Sequence, residues 1–338
     1  MKMNVHHFQT SLPGHVWRFL LFTLAATFMK LAVAVPVPVN WTHLSSANGD
    51  LPVPPAANGQ VGMKVADFDI DGQNDYVMTF QNAAETVLWY RQLGNSFEKY
   101  VIDTEPQNLS HSDGFKDIDG DGDIDLIIGD AGSANQIHWW ENPYPNYDPG
   151  TPWVRREVHT SIRNQFHDSM WGDFDDDGVE EYIAWNQRAR QLLLFEVPTD
   201  PKTSGPWPVT PIFSWTGDDQ RFRGTDIADI NLDGKMDFVG GCGWFEHISG
   251  TTFVRHDIET EGHGTVKAGQ LIAGGRPEVV CQLETVAGPL NMYEWTGSSW
   301  QTHTLFPAGA IDRSHTLQLG DINQDGHLDI FTAEMGQW

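Results

Sequence analysis

The chain is poor in cysteine and in positive charge. Two cysteines in 338 residues, Cys242 and Cys281, exclude a disulfide-framework fold. They fall in corresponding strands of neighbouring units, which leaves open either one bridge or two buried thiols. Lys and Arg number 20 against 46 Asp and Glu, a formal net charge of −26. That balance argues against nucleic acid and anionic membranes as partners, and against a polyanionic substrate without a local basic patch. Beyond the N-terminus no apolar run is long enough to span a bilayer, so no membrane insertion is expected. A sustained helical period is also missing, which points to an all-β chain. There is no G-x-S-x-G elbow, Walker loop or G-x-G-x-x-G fingerprint between a strand and a helix. Ser110-His111-Ser112-Asp113 gathers hydrolase residue types in sequence only, whereas a working triad is assembled in space.

The first 34 residues read as an export signal. Lys2 and Arg18 supply the positive region, Phe19 to Met29 an apolar run too short to cross a membrane, and Ala32-Val33-Ala34 an A-x-A cleavage site. Cleavage near Ala34 makes the protein secreted. In a eukaryotic host Asn40-Trp41-Thr42 and Asn108-Leu109-Ser110 are glycosylation sequons. Residues 35–60 form an N-terminal segment, in which Asn40 to Leu44 is expected to pair as an outer strand, and 61–338 form the body.

What the chain has in quantity is acidic turns. Asp117-Ile118-Asp119-Gly120-Asp121-Gly122-Asp123-Ile124-Asp125 carries carboxylates at positions 1, 3, 5 and 9 and Gly at position 6, and runs straight into the apolar Leu126-Ile127-Ile128. Alternate side chains of a tight loop converge on one point, and four carboxylates there call for a hard, oxygen-seeking cation, of which Ca²⁺ fits best. Position 12 is Ile128 within a β-type run, so the loop is not an EF-hand, which needs Glu there and flanking helices. Four further loops share the spacing: Asp67, Asp69, Asp71, Asp75; Asp173, Asp175, Asp177, Glu181; Asp229, Asn231, Asp233, Asp237; and Asp321, Asn323, Asp325, Asp329. About five Ca²⁺ ions are therefore expected. A sixth copy, Gln270 to Glu278, keeps the Gly and the last acid but has Gln270, Ile272 and Gly274 at the first three ligand positions, and should bind none.

The loops start at 67, 117, 173, 229, 270 and 321, a period of roughly 40 to 56 residues that marks an array of supersecondary units. Each unit reads as four short strands: one before the loop, one leaving it, an aromatic third (Val87-Leu88-Trp89-Tyr90, Ile137-His138-Trp139-Trp140) and an alternating fourth. The fourth is legible as Phe97 to Ile102, Trp153 to Val158, Phe253 to Ile258 and Trp300 to Leu305. Four antiparallel strands repeated radially make a β-propeller. The aromatic third strands are expected to pack blade against blade. The sixth unit stops at Trp338 after its second strand, which reads as a fragment or an incomplete final blade; a full ring could have seven.

The D-x-D/N-x-D-G-x-x-D/E loops, with phrases such as Trp139-Trp140-Glu141-Asn142, resemble the FG-GAP/VCBS repeat family, the calcium-stabilised blades also found in integrin α-subunit propellers. The resemblance covers nearly all of 61–338. It implies the fold and calcium, while the family's members range over adhesion modules, lectin-like binders and polysaccharide lyases, so fold analogy does not choose among them.

A second register lies six residues before each loop: His111, His167, Arg223 and His315, with His263 one residue out of step and Val61 in the first unit. It opens the first strand, the one nearest the axis in the resembling family, so these side chains could ring one mouth of the channel. His exchanges protons near neutral pH and Arg grips carboxylates, as a lyase of uronic-acid polysaccharides requires. Recurring His can equally bond a neighbouring blade's backbone. Trp171, Asp168 and Asp113 stand beside the register as candidate sugar contacts or ordinary turn residues. The reading is a secreted calcium-binding β-propeller that binds carbohydrate or extracellular protein, with the polysaccharide lyase as alternative.

Overall fold

The computed structural model describes residues 37–56, 59–131, 136–161, 165–218, 222–259, 264–283, 288–311 and 314–334. The expected leader, 1–34, lies outside them, as does His263. The described residues are all-β apart from a single 3-10 turn at Ser46–Asn48, and build six antiparallel sheets in chain order. Sheet one is β1 (Gln60–Ala66), β2 (Asp75–Phe80), β3 (Val87–Leu93) and β4 (Ser96–Asp103). Sheet two is β5 (Leu109–Lys116), β6 (Asp125–Asp130), β7 (Gln136–Glu141) and β8 (Val154–Thr160). Sheet three is β9 (Phe166–Gly172), β10 (Glu181–Asn186), β11 (Gln191–Phe195) and β12 (Val209–Ser214). Sheet four is β13 (Asp226–Ala228), β14 (Asp237–Gly240), β15 (Gly243–Ser249) and β16 (Thr252–Asp257). Sheet five is β17 (Gly264–Gly269), β18 (Glu278–Leu283), β19 (Leu290–Trp295) and β20 (Trp300–Phe306). Sheet six holds β21 (Ser314–Gly320) and β22 (Asp329–Glu334).

Within each four-stranded sheet the strands lie side by side in sequence order. One register recurs in all six. The residue before position 1 pairs with position 9: Ala66 with Asp75, Lys116 with Asp125, Gly172 with Glu181, Ala228 with Asp237, Gly269 with Glu278 and Gly320 with Asp329. Every acidic loop is thus a hairpin connection closed by the same pair.

The second strands β6, β10, β14 and β18 are buried along their whole length, as expected where both faces of a strand are covered. Their cover is the neighbouring sheets. Trp89 of sheet one packs with Leu126, Ile128 and Trp140 of sheet two; Ile127 and Trp139 pack with Tyr182 and Phe195 of sheet three; Ile183 and Trp185 with Phe238 and Phe245 of sheet four; Val239 and Trp244 with Val266 and Val279 of sheet five; Val280 and Leu290 with Leu317 of sheet six. The aromatic third strands are core, as their sequence implies. Removing a side chain such as Trp140, fully buried, would cost about 3–5 kcal/mol. Among the described residues no such core joins sheet six to sheet one.

First strands lie beside first strands: β1 by β5, β5 by β9, β13 by β17 and β17 by β21. Gly129 permits one close approach, since a Cβ there would stand 2.6 Å from Cβ of Phe166 in the next sheet.

Two expectations are corrected, and one expected strand that the sequence left unplaced is located. Asn40 to Leu44 forms no strand. The segment does lie against sheet six, with the Val37 N–H donating to the Asn323 carbonyl at 2.6 Å and Trp41 stacked on Phe331 at 6.4 Å, but Pro38 lacks an N–H and Asn40 to Leu44 stay exposed. Sheet three has a fourth strand, β12, hidden in the sequence by Pro211 within it and by the long connection before it. Cys242 occupies the turn between β14 and β15 in a left-handed conformation (φ 49°) rather than a strand. It is bonded to Cys281 of β18 with Cα atoms 5.7 Å apart, within the usual disulfide span, and so ties sheet four to sheet five.

Candidate functional site

The loops owe their shape to their own carboxylates. Position 1 receives the N–H of position 6: Gly72 on Asp67 at 2.8 Å, Gly122 on Asp117 at 3.0 Å, Gly178 on Asp173 at 3.1 Å, Gly234 on Asp229 at 2.9 Å and Gly326 on Asp321 at 2.8 Å. Those glycines have φ between 88° and 99°, the region in which a Cβ is penalised. Position 4 is left-handed too, at Ile70, Asp176, Leu232 and Gln324. Position 9 faces inward. Asp75 accepts from Phe68 and Gln92, Asp125 from Ile118 and Asn142, Asp237 from Ile230 and His247, Glu181 from Phe174 and Asp329 from Ile322, all backbone N–H donors. In the first, second and fourth loops it therefore links position 2 to the end of the third strand.

The third loop meets a cation's needs most fully. Asp173, Asp175, Asp177 and Glu181 bring ligand oxygens within 4.8 Å of one another. Glu181 is fully buried, and its Oε1 and the Oδ1 of Asp173 have no hydrogen-bond partner. Burial, opposed by the Phe174 N–H and reinforced by Asp175, lifts the Glu181 carboxyl to about 7. All donors are hard oxygens, so the residues fit Ca²⁺.

Three ligands converge in the first loop (Asp67, Asp69, Asp71) and three in the second (Asp117, Asp119, Asp125). Asp75 stands outside the first group and Asp121 outside the second. Each of these two loops already has a cation at position 3. Arg91 of β3 pairs with Asp69; Lys202 lies 2.7 Å from Asp119, 3.3 Å from Asp121 and 2.9 Å from Glu141. Burial lifts Asp75 to about 6 and Asp125 to about 8; burial with Asp121, Asp119 and Asp117 lifts Asp123 to about 7. In the fourth and fifth loops Asn231 and Asn323 replace a carboxylate, and Asp229, Asp233 and Asp237, like Asp321, Asp325 and Asp329, form no converging trio. In the Gln270 loop the Gln270 amide donates to the carbonyls of Ile272 and Gly274, and Glu278 takes the Leu271 and Ile272 N–H groups at 2.8 and 2.9 Å.

Sequence reasoning missed one element of these sites. Within or just after the third strand a carboxylate follows an aromatic residue: Glu141, Glu196 and Glu246. Glu196 is raised by burial and then by Asp175 and Asp177; Glu246 receives Asn231 Nδ2 at 3.1 Å. The repeated aromatic-Glu step (Trp140-Glu141, Phe195-Glu196, Phe245-Glu246) was the available signal.

The second register is brought together in part. His111 of β5 and His167 of β9 have ring centroids 4.9 Å apart. His167 Nδ1 lies 2.9 Å from Asp168 Oδ2, and that oxygen also takes the Gly224 N–H at 2.8 Å, next to Arg223. His111 and His167 are therefore in contact across sheets two and three, and Asp168 carries the link on to Gly224, the residue after Arg223, ahead of sheet four. Burial and the nearby His167 lower the His111 pKa. Despite burial, His167 and the Gly224 N–H hold Asp168 well below the usual carboxylate range. Arg223 is half-buried, its carbonyl accepting the Gly241 N–H at 2.6 Å. His315 lies on β21, its side chain outside the described residues, as is all of His263. Of the suggested sugar contacts, Asp113 is buried and paired with Lys64 at 2.9 Å, and Trp171 packs on Tyr182 at 5.1 Å beneath Lys116. Asp113 Oδ2 and Trp171 Nε1 have no hydrogen-bond partner. The Asn108 amide is bonded to the Ala131 carbonyl, so a glycan there would break an inter-strand contact; Asn40 is exposed.

Among the described residues no helix is long and apolar enough to cross a membrane. No protein-family model matches the chain, and no curated protein does. Among solved structures it is similar to the V. cholerae biofilm matrix protein Bap1, at 15% identity and a TM-score of 0.45 over 82% of this chain, and spans 44% of that chain's length. It is also similar to a mutant Aleuria aurantia lectin in complex with alpha-methyl-L-fucoside, at 12% identity and a TM-score of 0.44, over 81% of this chain and 87% of that one.

Proposed function

We propose that this is a secreted, calcium-binding β-propeller of the FG-GAP/VCBS type that binds carbohydrate or an extracellular protein ligand. The observation that carries the calcium reading is the third loop, where four carboxylates converge and two of their oxygens are buried without a donor. A divalent cation would satisfy both oxygens and remove the cost of burying their charge. The propeller reading is supported by the repeated sheet order, by first strands lying beside first strands and by cores that join each sheet to the next. Ligand binding is assigned to the edge where His111 meets His167 and Asp168 leads on to Gly224, beside Arg223.

The lyase alternative draws on one observation, the His111–His167 pair beside Asp168. Burial and the nearby His167 lower the His111 pKa, so His111 is neutral near pH 7 and can take a proton. A panel of neutral and uronic-acid glycans, presented with calcium and with EGTA, tests the proposal. Calcium-dependent binding lost in His167→Ala, without a new ultraviolet absorbance from unsaturated uronate, supports the binding module. Appearance of that product makes the protein a lyase. Binding indifferent to His167→Ala and to Arg223→Ala moves the ligand site elsewhere.

A further inference from the structure

The connection 196–208 between β11 and β12 does more than join two strands. It leaves sheet three and crosses to sheet two, where the Trp207 N–H donates to the Val158 carbonyl at 2.9 Å and the Trp207 ring is buried. Its tip is a tight turn: Ser204 N–H bonds the Asp200 carbonyl at 3.0 Å, and Thr203 Oγ1 bonds Asp200 Oδ2 at 2.6 Å. Lys202 sits at the apex. Its carbonyl accepts from Arg156 Nη1 at 2.7 Å, and Arg156 also grips Glu141. Its ammonium reaches the neighbouring unit's loop, at Asp119, Asp121 and Glu141.

Resting on the calcium reading above, we propose that Lys202 is a tethered counter-ion of the second loop, so that a divalent cation binds there only by expelling it and freeing the tip of the 196–208 connection. Two observations beyond the acidic cluster support this. The second loop already holds a cation, the ammonium itself. In addition Asp123, 3% exposed, has an Oδ1 without a partner and lies within the electrostatic reach of Asp121, Asp119 and Asp117. A Ca²⁺ ion takes its oxygens at roughly 2.3–2.6 Å, and an ammonium 2.7 Å from Asp119 would then share the same oxygen at near-contact distance from the ion. Like charges that close repel strongly in a half-buried site. In the third loop Lys116 pairs with Glu180, outside the ligand positions, and among the described residues no Lys or Arg forms an ion pair with Asp173, Asp175, Asp177 or Glu181. That loop therefore fills first, and the second fills at higher calcium with release of the 200–204 turn.

Calorimetric calcium titration of the full chain tests this, comparing wild type with Lys202→Met and the charge-keeping Lys202→Arg, alongside hydrogen exchange of 197–206. Lys202→Met should strengthen one binding step about tenfold, the scale of removing a half-exposed multidentate ion pair, and leave the others unchanged. Lys202→Arg should follow wild type. In wild type, exchange at 200–204 should rise only over the weaker step. Calcium binding with superimposable isotherms for wild type and Lys202→Met, or calcium that leaves 200–204 equally protected, overturns the counter-ion role. An absence of binding heat in all three proteins overturns the calcium reading itself.

Discussion

Replacing Glu181 by Gln should stabilise the calcium-free protein and destabilise the calcium-loaded one. Glu181 is fully buried, and its folded pKa stands at about 7 against an ordinary 4.5. A group whose folded pKa is raised favours the fold below its unfolded pKa and loses that advantage as pH rises through the folded value. At pH 8 the carboxylate is ionised in both states, and the folded state bears the full difference of about 3 kcal/mol. Gln keeps an oxygen for the Phe174 N–H, now 2.7 Å from Glu181 Oε2, and carries no charge. In EGTA at pH 8 the variant should recover a good part of that difference, several degrees in melting temperature for a chain of this size. Near pH 4.5 the gain should vanish, because Glu181 is then protonated when folded. With calcium in excess the order should reverse, since the variant has lost a charged ligand and wild type gains by mass action, about 2.7 kcal/mol at a hundredfold excess over the dissociation constant. Differential scanning calorimetry at the two pH values, with calcium and with EGTA, reads all four cases. A variant that melts lower than wild type in EGTA at pH 8 would refute the idea that this buried charge is uncompensated without metal.

Three other outcomes are expected. His138 is buried, and burial and then Arg155 lower its pKa from 6.5 to about 4; since the unfolded chain takes up that proton first, wild type should lose about 3 kcal/mol as pH falls from 6.5 to 4, and His138→Phe should show a shallower decline in urea titrations across that window. Replacing both Cys242 and Cys281 by Ala should cost about 4 kcal/mol on the chain-entropy scale for the separation of 39 residues, read as a lowered denaturation midpoint; an unchanged midpoint would mean that the link between sheets four and five constrains nothing. Gln270→Ala should leave the number of bound calcium ions unchanged while lowering stability by about 1–2 kcal/mol, because the amide supports the Ile272 and Gly274 carbonyls; a calorimetric count that rises or falls would contradict the metal-free role of that loop.

The hairpin loops and the strands on either side of them were legible because their signals are local. An acid at position 9 starts every second strand, and the apolar run that follows is its buried length. The aromatic third strands announced their burial by composition. What was not legible depends on contacts between units. No pattern in 196–208 shows that Lys202 reaches Asp119, since that contact depends on how sheet three sits on sheet two. β12 was hidden because Pro211, a poor strand residue, is tolerated beside a register shift at Leu192 and Leu193. The His register was visible in spacing, but only packing shows that Asp168 couples His167 to Gly224, ahead of the next sheet. Asp121, which its central place in the loop made an obvious ligand, turns instead toward Lys202.

The Gln270 loop separates two roles that the acidic spacing merges. It has the same closing pair as the others, Gly269 with Glu278, and its position-9 acid accepts the same kind of backbone donors. It reaches this geometry with no acid at positions 1, 3 or 5. Position 9, the glycine and a position-1 side chain bonded within the loop, acidic or not, therefore shape the turn, and on the calcium reading the charge at positions 1, 3 and 5 serves the ion. A calcium-free loop should then keep its hairpin register, and the ion's contribution lies in neutralising charges that the fold buries, such as Glu181 at about 7 and Asp125 at about 8. On that account chelation weakens the packing of one sheet on the next, where those carboxylates are buried, before it opens the hairpins themselves. Hydrogen exchange in EGTA should rise first at the third-strand amides that bond position 9, Gln92 and Asn142, while the ladder amides of β2 and β6 stay protected. Simultaneous loss of both sets would mean that the ion, and not the position-9 acid, holds the turn.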